Sequence, residues 1–487
     1  MKRLAIGAMV GVFALLVALP VMAQQPPPGP SVSFGGEMRV HGFWFDNITD
    51  FRDKVSNSDT GNDQNAHYFQ RWRLFTTVES ADKKARAVWG LEVGDLVWGS
   101  GGGASAGSFN AGGGSGTRIG PGSGADAGND GVNVETKLLY VQFDIPGIQG
   151  ANLLLGGHNI IFLGGPTGAF MDDDGFGIQF NWKQQVWDLQ LYTVKLTENL
   201  RFRSDDNDMY VARVGVNPTK DLRLTIEGMV LDQKCFAQAA IPTGATQPPT
   251  TCVTPSNSDF FDSYWIGATM GLKVGKMNFD LAALYGIRRM QCPTCGGDGT
   301  ADEEGFGIAG SVRVPVGPVA TWFHGWYTTG DERRVPGAAS AANGVLTRDS
   351  DKLPVPIDGA SWLSAPFIAE ALFGHRTLGS PAVGQTSYAD QTGTWGIGGS
   401  GTFALTPALS IGGGIAYVAA TEDNGRFGDN VVEFDGGILY TYNANLSFQG
   451  VASYLIPEGC NLPSGARCPD SDGDNAWALA FRTRFAF

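Results

Sequence analysis

Downstream of residue 23 the 487-residue chain holds no run of about eighteen or more apolar residues, so no helix of a membrane-spanning kind is encoded there. Helix-forming runs are scarce throughout. The histidines His41, His67, His158, His324 and His375 stand far apart, and none forms an HxxxH or HxH pair with metal-ligand spacing. No CxxCH motif occurs, so any haem would have to come from a partner. No nucleophile–base constellation stands out, and the expectation is a protein that is not an enzyme and needs no cofactor. The formal charge of −14 argues against nucleic acid as a partner. What is abundant instead is glycine, with 70 residues, and aromatic side chains, at 11% of the chain, a mixture that suits many strands joined by turns and loops.

Residues 1–23 read as a secretory signal. Lys2 and Arg3 form the positive end, Leu4 to Leu19 the apolar stretch, and Val21-Met22-Ala23 the small-residue cleavage site. Residues 24–31 form an extended, proline-rich leader, and residues 32–487 read as one domain. A secreted chain with no later apolar helix is either soluble in an oxidising compartment or crosses the outer membrane as strands. Only helices and closed barrels satisfy their backbone polar groups in lipid.

The remainder divides into about eighteen strand-like segments whose connections alternate between short and long. Short turns include 81–84, 146–150, Gln184-Gln185, Gly275-Lys276, Thr406-Pro407 and Ala444-Asn445. Long connections include 46–67, the Gly/Ser/Ala/Asn-rich stretch 99–131, a loop from Leu163 to Asp174, and the insertion 329–392 with a short helical signal at 369–373. The fold class is therefore all-β: a transmembrane antiparallel β-barrel with short periplasmic turns and long extracellular loops.

The face on which charges fall carries this reading. Glu37, Arg39 and His41 share one parity, opposite Met38 and Val40. Arg71 and Arg73 oppose Trp72 and Leu74. Arg213 opposes Val214, Arg223 and Glu227 oppose Leu224 and Ile226, Arg313 opposes Val312 and Val314, and Glu433 and Asp435 oppose Val432 and Phe434. A charge facing lipid at mid-depth costs roughly 2–4 kcal/mol, so charges confined to one face mark the watery side. Exceptions such as Lys195 and Arg289 sit near strand ends, where that cost is small. Arg86, Arg482 and Arg484 take the same watery parity, and a barrel of this size leaves an aqueous channel.

The last strand, Trp477 to Phe487, alternates Trp477, Leu479, Phe481, Thr483, Phe485, Phe487 against Ala478, Ala480, Arg482, Arg484, Ala486. It resembles the C-terminal strand of outer-membrane β-barrels, and the resemblance implies that Phe487 is the signal read by the barrel assembly machinery. Glu433-Phe434-Asp435, Tyr440, Asn445-Leu446 and Tyr454-Leu455 resemble the last hairpin of porin-type and alginate-export-type barrels. That implies a protein of the outer membrane of a Gram-negative-type bacterium, in contact with its lipid, with homo-oligomerisation left open.

Three further features remain. Cys235 with Cys252, Cys292 with Cys295, and Cys460 with Cys468 each fall within one exterior loop, which favours local disulfides over a metal site at Cys292-Pro293-Thr294-Cys295. Asp470, Asp472 and Asp474 alternate as in calcium loops, but the sequence lacks the distal Glu of that motif, so a solvated acidic loop is the preferred reading. Asp172, Asp173 and Asp174 close the loop from Leu163 and are candidates for a constriction. The functional expectation is passive diffusion of small hydrophilic solutes. The lumen arginines point either to anion preference or to plain pairing with lumen acids. Dedicated transport of a polyanion such as an alginate-type polysaccharide, and a structural barrel around an electron-carrying partner, are the alternatives.

Overall fold

The computed structural model describes residues 29–46, 65–98, 118–119, 132–163, 171–197, 207–233, 260–291, 300–329, 394–420, 430–458 and 475–487. In chain order the strands are β1 (Ser31–Asp46), β2 (Asn65–Glu79), β3 (Ala85–Val97), the two-residue β4 (Arg118–Ile119), β5 (Val132–Asp144), β6 (Ala151–Phe162), β7 (Met171–Lys183), β8 (Trp187–Thr197), β9 (Asn207–Thr219) and β10 (Leu222–Gln233). They continue with β11 (Phe260–Val274), β12 (Met277–Gln291), β13 (Thr300–Val316), β14 (Val319–Thr328), β15 (Thr394–Thr406), β16 (Leu409–Ala420), β17 (Asn430–Thr441), β18 (Leu446–Glu458) and β19 (Ala476–Ala486).

Each strand pairs antiparallel with its neighbour in sequence, β3 passing over β4 to reach β5. The ring closes where β19 pairs with β1, from Glu37 opposite Ala486 to Asp46 opposite Trp477. Eighteen strands therefore form a closed barrel, and β4 is a short ribbon on β5 outside that ring. Closure removes the two free edges that an open sheet would present, which is the condition for a sheet to sit in lipid.

The outward rows are apolar. Ile226, Ile266, Ile308, Phe323, Ile397, Phe434, Leu479 and Phe485 all point away from the lumen and are exposed on the isolated chain. Lys195 stands on this face at the exterior end of β8, where Asp208 pairs with it at 2.9 Å. A charge there lies near the water interface, so the cost of mid-bilayer burial does not apply.

The tight turns are built from local chemistry. At the β2–β3 turn the Ser80 hydroxyl donates to Asp82 at 2.7 Å and the Lys84 amide donates to the same carboxyl at 3.2 Å. These bonds, Ser80 first, hold the Asp82 carboxyl below its ordinary range. At the β5–β6 turn Gly147 and Gly150 take φ of 82° and 79°, values that a side chain would strain.

One expected boundary moves. The sequence places the end of the loop after Leu163 at Asp174, yet β7 begins at Met171, and Asp172, Asp173 and Asp174 pair by backbone with Ile161, Ile160 and Asn159. Their positions along the strand are fixed; their side chains lie outside the described residues. The signal segment, the six cysteines, the 369–373 signal and Asp470 to Asp474 also lie outside them.

Candidate functional site: the barrel lumen

The seam between the first and last strands concentrates guanidinium groups on the inner face. Arg39 of β1 stands directly opposite Arg71 of β2 on one side and Arg484 of β19 on the other. One step along, Glu37 faces Arg73, and Arg73 faces Glu92 of β3. The two glutamates are shared: Glu37 pairs with Arg39 and, at 2.7 Å, with Arg484, and Glu92 pairs with Arg73 and, at 3.4 Å, with Arg71. Arg482, opposite His41, bonds the Gln449 side chain of β18. Among the described side chains, five arginines and two glutamates thus meet at this seam. Like charges directly across a ladder destabilise a sheet. The β2–β3 register slips between Gln70 and Trp72, which places Arg71 at an irregularity. Such bulges re-aim side chains next to functional sites.

A second polar group sits on β8 to β10. Both carboxylate oxygens of Asp188 accept from one terminal nitrogen of Arg223, at 3.1 and 2.8 Å, and Asn217 accepts from the other at 3.2 Å. Arg213 lies 3.3 Å from Glu227, whose side chain is fully buried. The other oxygen of Glu227 accepts the Leu163 amide at 2.7 Å. Arg86 bonds Gln142 near the turn end of the barrel. Arg313 lies over the Trp322 ring, 4.9 Å from its centre. Ser453 bonds Asp435, and Glu433, two residues earlier on the same inner face, is fully buried. These arginines and acids stand in separate groups with different partners.

The lumen is not polar all the way round, which face parity alone did not reveal. Ile160, Phe162, Leu163, Tyr192, Val194, Met209, Val211, Met229, Leu231, Trp265 and Leu284 form one buried apolar cluster over β6 to β12. In strand order β11, which carries Trp265 of this cluster, stands across the barrel from β1 and the arginine seam. On β14, Trp322, His324 and Trp326 line the inner face in sequence, ring centres 5.3 and 6.1 Å apart. His324 and Trp326 lie against the backbone of Gly398 and Gly396, where an added Cβ would come within 2.6 Å of each ring.

No protein-family model and no curated protein matches the sequence. Among solved structures, the chain is similar to OccK8 (OprE) of Pseudomonas aeruginosa, with a TM-score of 0.50 and 10% identity over 94% of this chain and 98% of that one. It also aligns with OccAB2 of Acinetobacter baumannii at a TM-score of 0.47 and 12% identity, over 93% and 98% of the two chains. At such identity the first likeness speaks to fold. The closed ring of strands, its apolar exterior and this likeness together give one conclusion: the chain has the fold of an outer-membrane porin barrel.

Proposed function

We propose that the protein is a passive channel for small hydrophilic solutes that favours anions. The observation carrying this reading is the cross-strand row Arg484–Arg39–Arg71 beside Arg73, which among the described side chains meets Glu37 and Glu92. Rings or rows of guanidinium groups in a pore favour anions, and guanidinium stays charged at any physiological pH. The apolar cluster lies on β6 to β12, and the charged groups on that side include the Arg213–Glu227 and Arg223–Asp188 pairs and Asp280 of β12. In the same reading Phe487 is the segment recognised by the assembly machinery.

The test is the zero-current potential across a planar bilayer bathed in unequal concentrations of potassium chloride. The native channel is expected to give the sign of chloride preference. The double variant Arg39→Gln, Arg71→Gln is expected to move that potential toward cation preference, whereas Arg223→Gln, whose charge is already matched by Asp188, is expected to move it less. An unchanged potential in the double variant would leave the arginine seam without a role in selectivity.

A further inference from the structure

Leu163 is the first residue beyond β6, and its placement is over-determined. It is one of two non-glycine residues among those described with positive φ, at 50°. A branched, bulky residue in that region persists only where its surroundings hold it. Two contacts do so. Its amide donates to the buried Glu227 carboxylate at 2.7 Å. That carboxylate is itself held by Arg213 at 3.3 Å. Its side chain lies on Gly267 of β11, so closely that a Cβ there would come within 2.4 Å of Leu163 Cδ1 and 2.8 Å of Cγ. Gly267 faces inward, between the inward-facing Trp265 and Thr269. The β6 exit is thus carried across the lumen face of the wall and fastened to β10 and β11, strands that β6 does not pair with.

We propose that Leu163, Glu227 and Gly267 form a latch that fixes the width of the passage, with Glu227 as its positioning residue. This rests on the channel reading above. A hydrogen bond from a main-chain amide to a buried carboxyl oxygen is costly to lose, because in that setting neither group has water as a substitute. The Leu163 side chain adds apolar contact with the cluster that includes Trp265 and Met229, so the latch has a directional part and a packing part. Gly267 is what makes the second part fit, because any side chain at that position would occupy the seat of Leu163.

Two readouts on the full-length protein test the latch. Hydrogen exchange followed by mass spectrometry reads the Leu163 amide in a peptide spanning Ile160 to Leu163. Single-channel conductance, with polyethylene glycols of graded size as probes, reads the passage. Glu227→Ala is expected to speed exchange of that amide by about tenfold or more, to raise conductance and to admit larger polymers. Glu227→Gln, which keeps an acceptor for the amide, is expected to retain most of the protection. Gly267→Ala, which leaves the charges in place, is expected to raise conductance through the packing part alone. If Glu227→Ala does not fold, Gly267→Ala supplies both readouts. Native exchange and native polymer cut-off in a folded Glu227→Ala or Gly267→Ala protein would overturn the latch. A native protein that conducts no ions would remove the channel reading, while the exchange result would still decide the latch.

Discussion

At the scale of single residues, two ion pairs of the same type have different expected worth. Arg223 and Asp188 are partly open to water, with side chains 39% and 18% exposed, so their pair is expected to contribute only about 0–1 kcal/mol. Glu227 is fully buried beside Arg213. Removing one partner of such a pair strands the other, at a cost of roughly 3–5 kcal/mol. Glu227→Ala should therefore lower the urea midpoint of the folded protein in detergent far more than Arg223→Gln. Equal shifts would mean that water reaches Glu227 as freely as it reaches Asp188. Parity in the sequence put both arginines on the watery face and was sufficient for that. It could not tell them apart, because burial depends on Leu163 arriving from another hairpin. Leu163 itself gave only a weak signal: an apolar residue opening a glycine-rich loop.

At the scale of elements, alternation along the strands was the legible feature. β6 runs over the residues expected between the turn at 146–150 and the loop from Leu163, Ala151–Phe162. β7 is longer than its sequence indicates because Met171-Asp172-Asp173-Asp174 shows no period of two, and its strand character comes from pairing with Ile160 and Ile161. The apolar inner cluster was hidden for a related reason: where both faces are apolar, as at Val211 and Val214 or Trp322 to Tyr327, alternation carries no information on which side is in. Within β6, Gly156 has φ of 124°, and a Cβ there would lie 2.2 Å from the Leu139 carbonyl oxygen. Gly156→Ala should destabilise the β5–β6 hairpin by about 1–3 kcal/mol, read as a lower midpoint for loss of the compact form on heating. On β15, Gly398→Val should displace His324 and disturb the aromatic row on β14, seen as a change in near-ultraviolet circular dichroism.

At the scale of the whole molecule, the terminal residue is part of the closure. The Gly36 amide donates to the Phe487 carbonyl at 2.9 Å and the Phe487 amide donates to the Gly36 carbonyl at 3.0 Å. Asn445, from the preceding turn, donates its side-chain amide to the Ala486 carbonyl at 2.6 Å. Deleting Phe487 removes the last rung of the β1–β19 seam as well as an outward aromatic ring. The truncated protein is expected to refold into detergent more slowly, followed by its heat-dependent shift on a gel, while Phe487→Tyr, which keeps the backbone rung, refolds close to the native rate.

The proposed transport depends on a continuous aqueous path through the ring of strands. The direct measurement is ionic current through single molecules of the folded protein in a planar lipid bilayer. Discrete, ohmic steps of open-channel current are the predicted result. Properly folded protein that inserts into the bilayer and passes no current would contradict it.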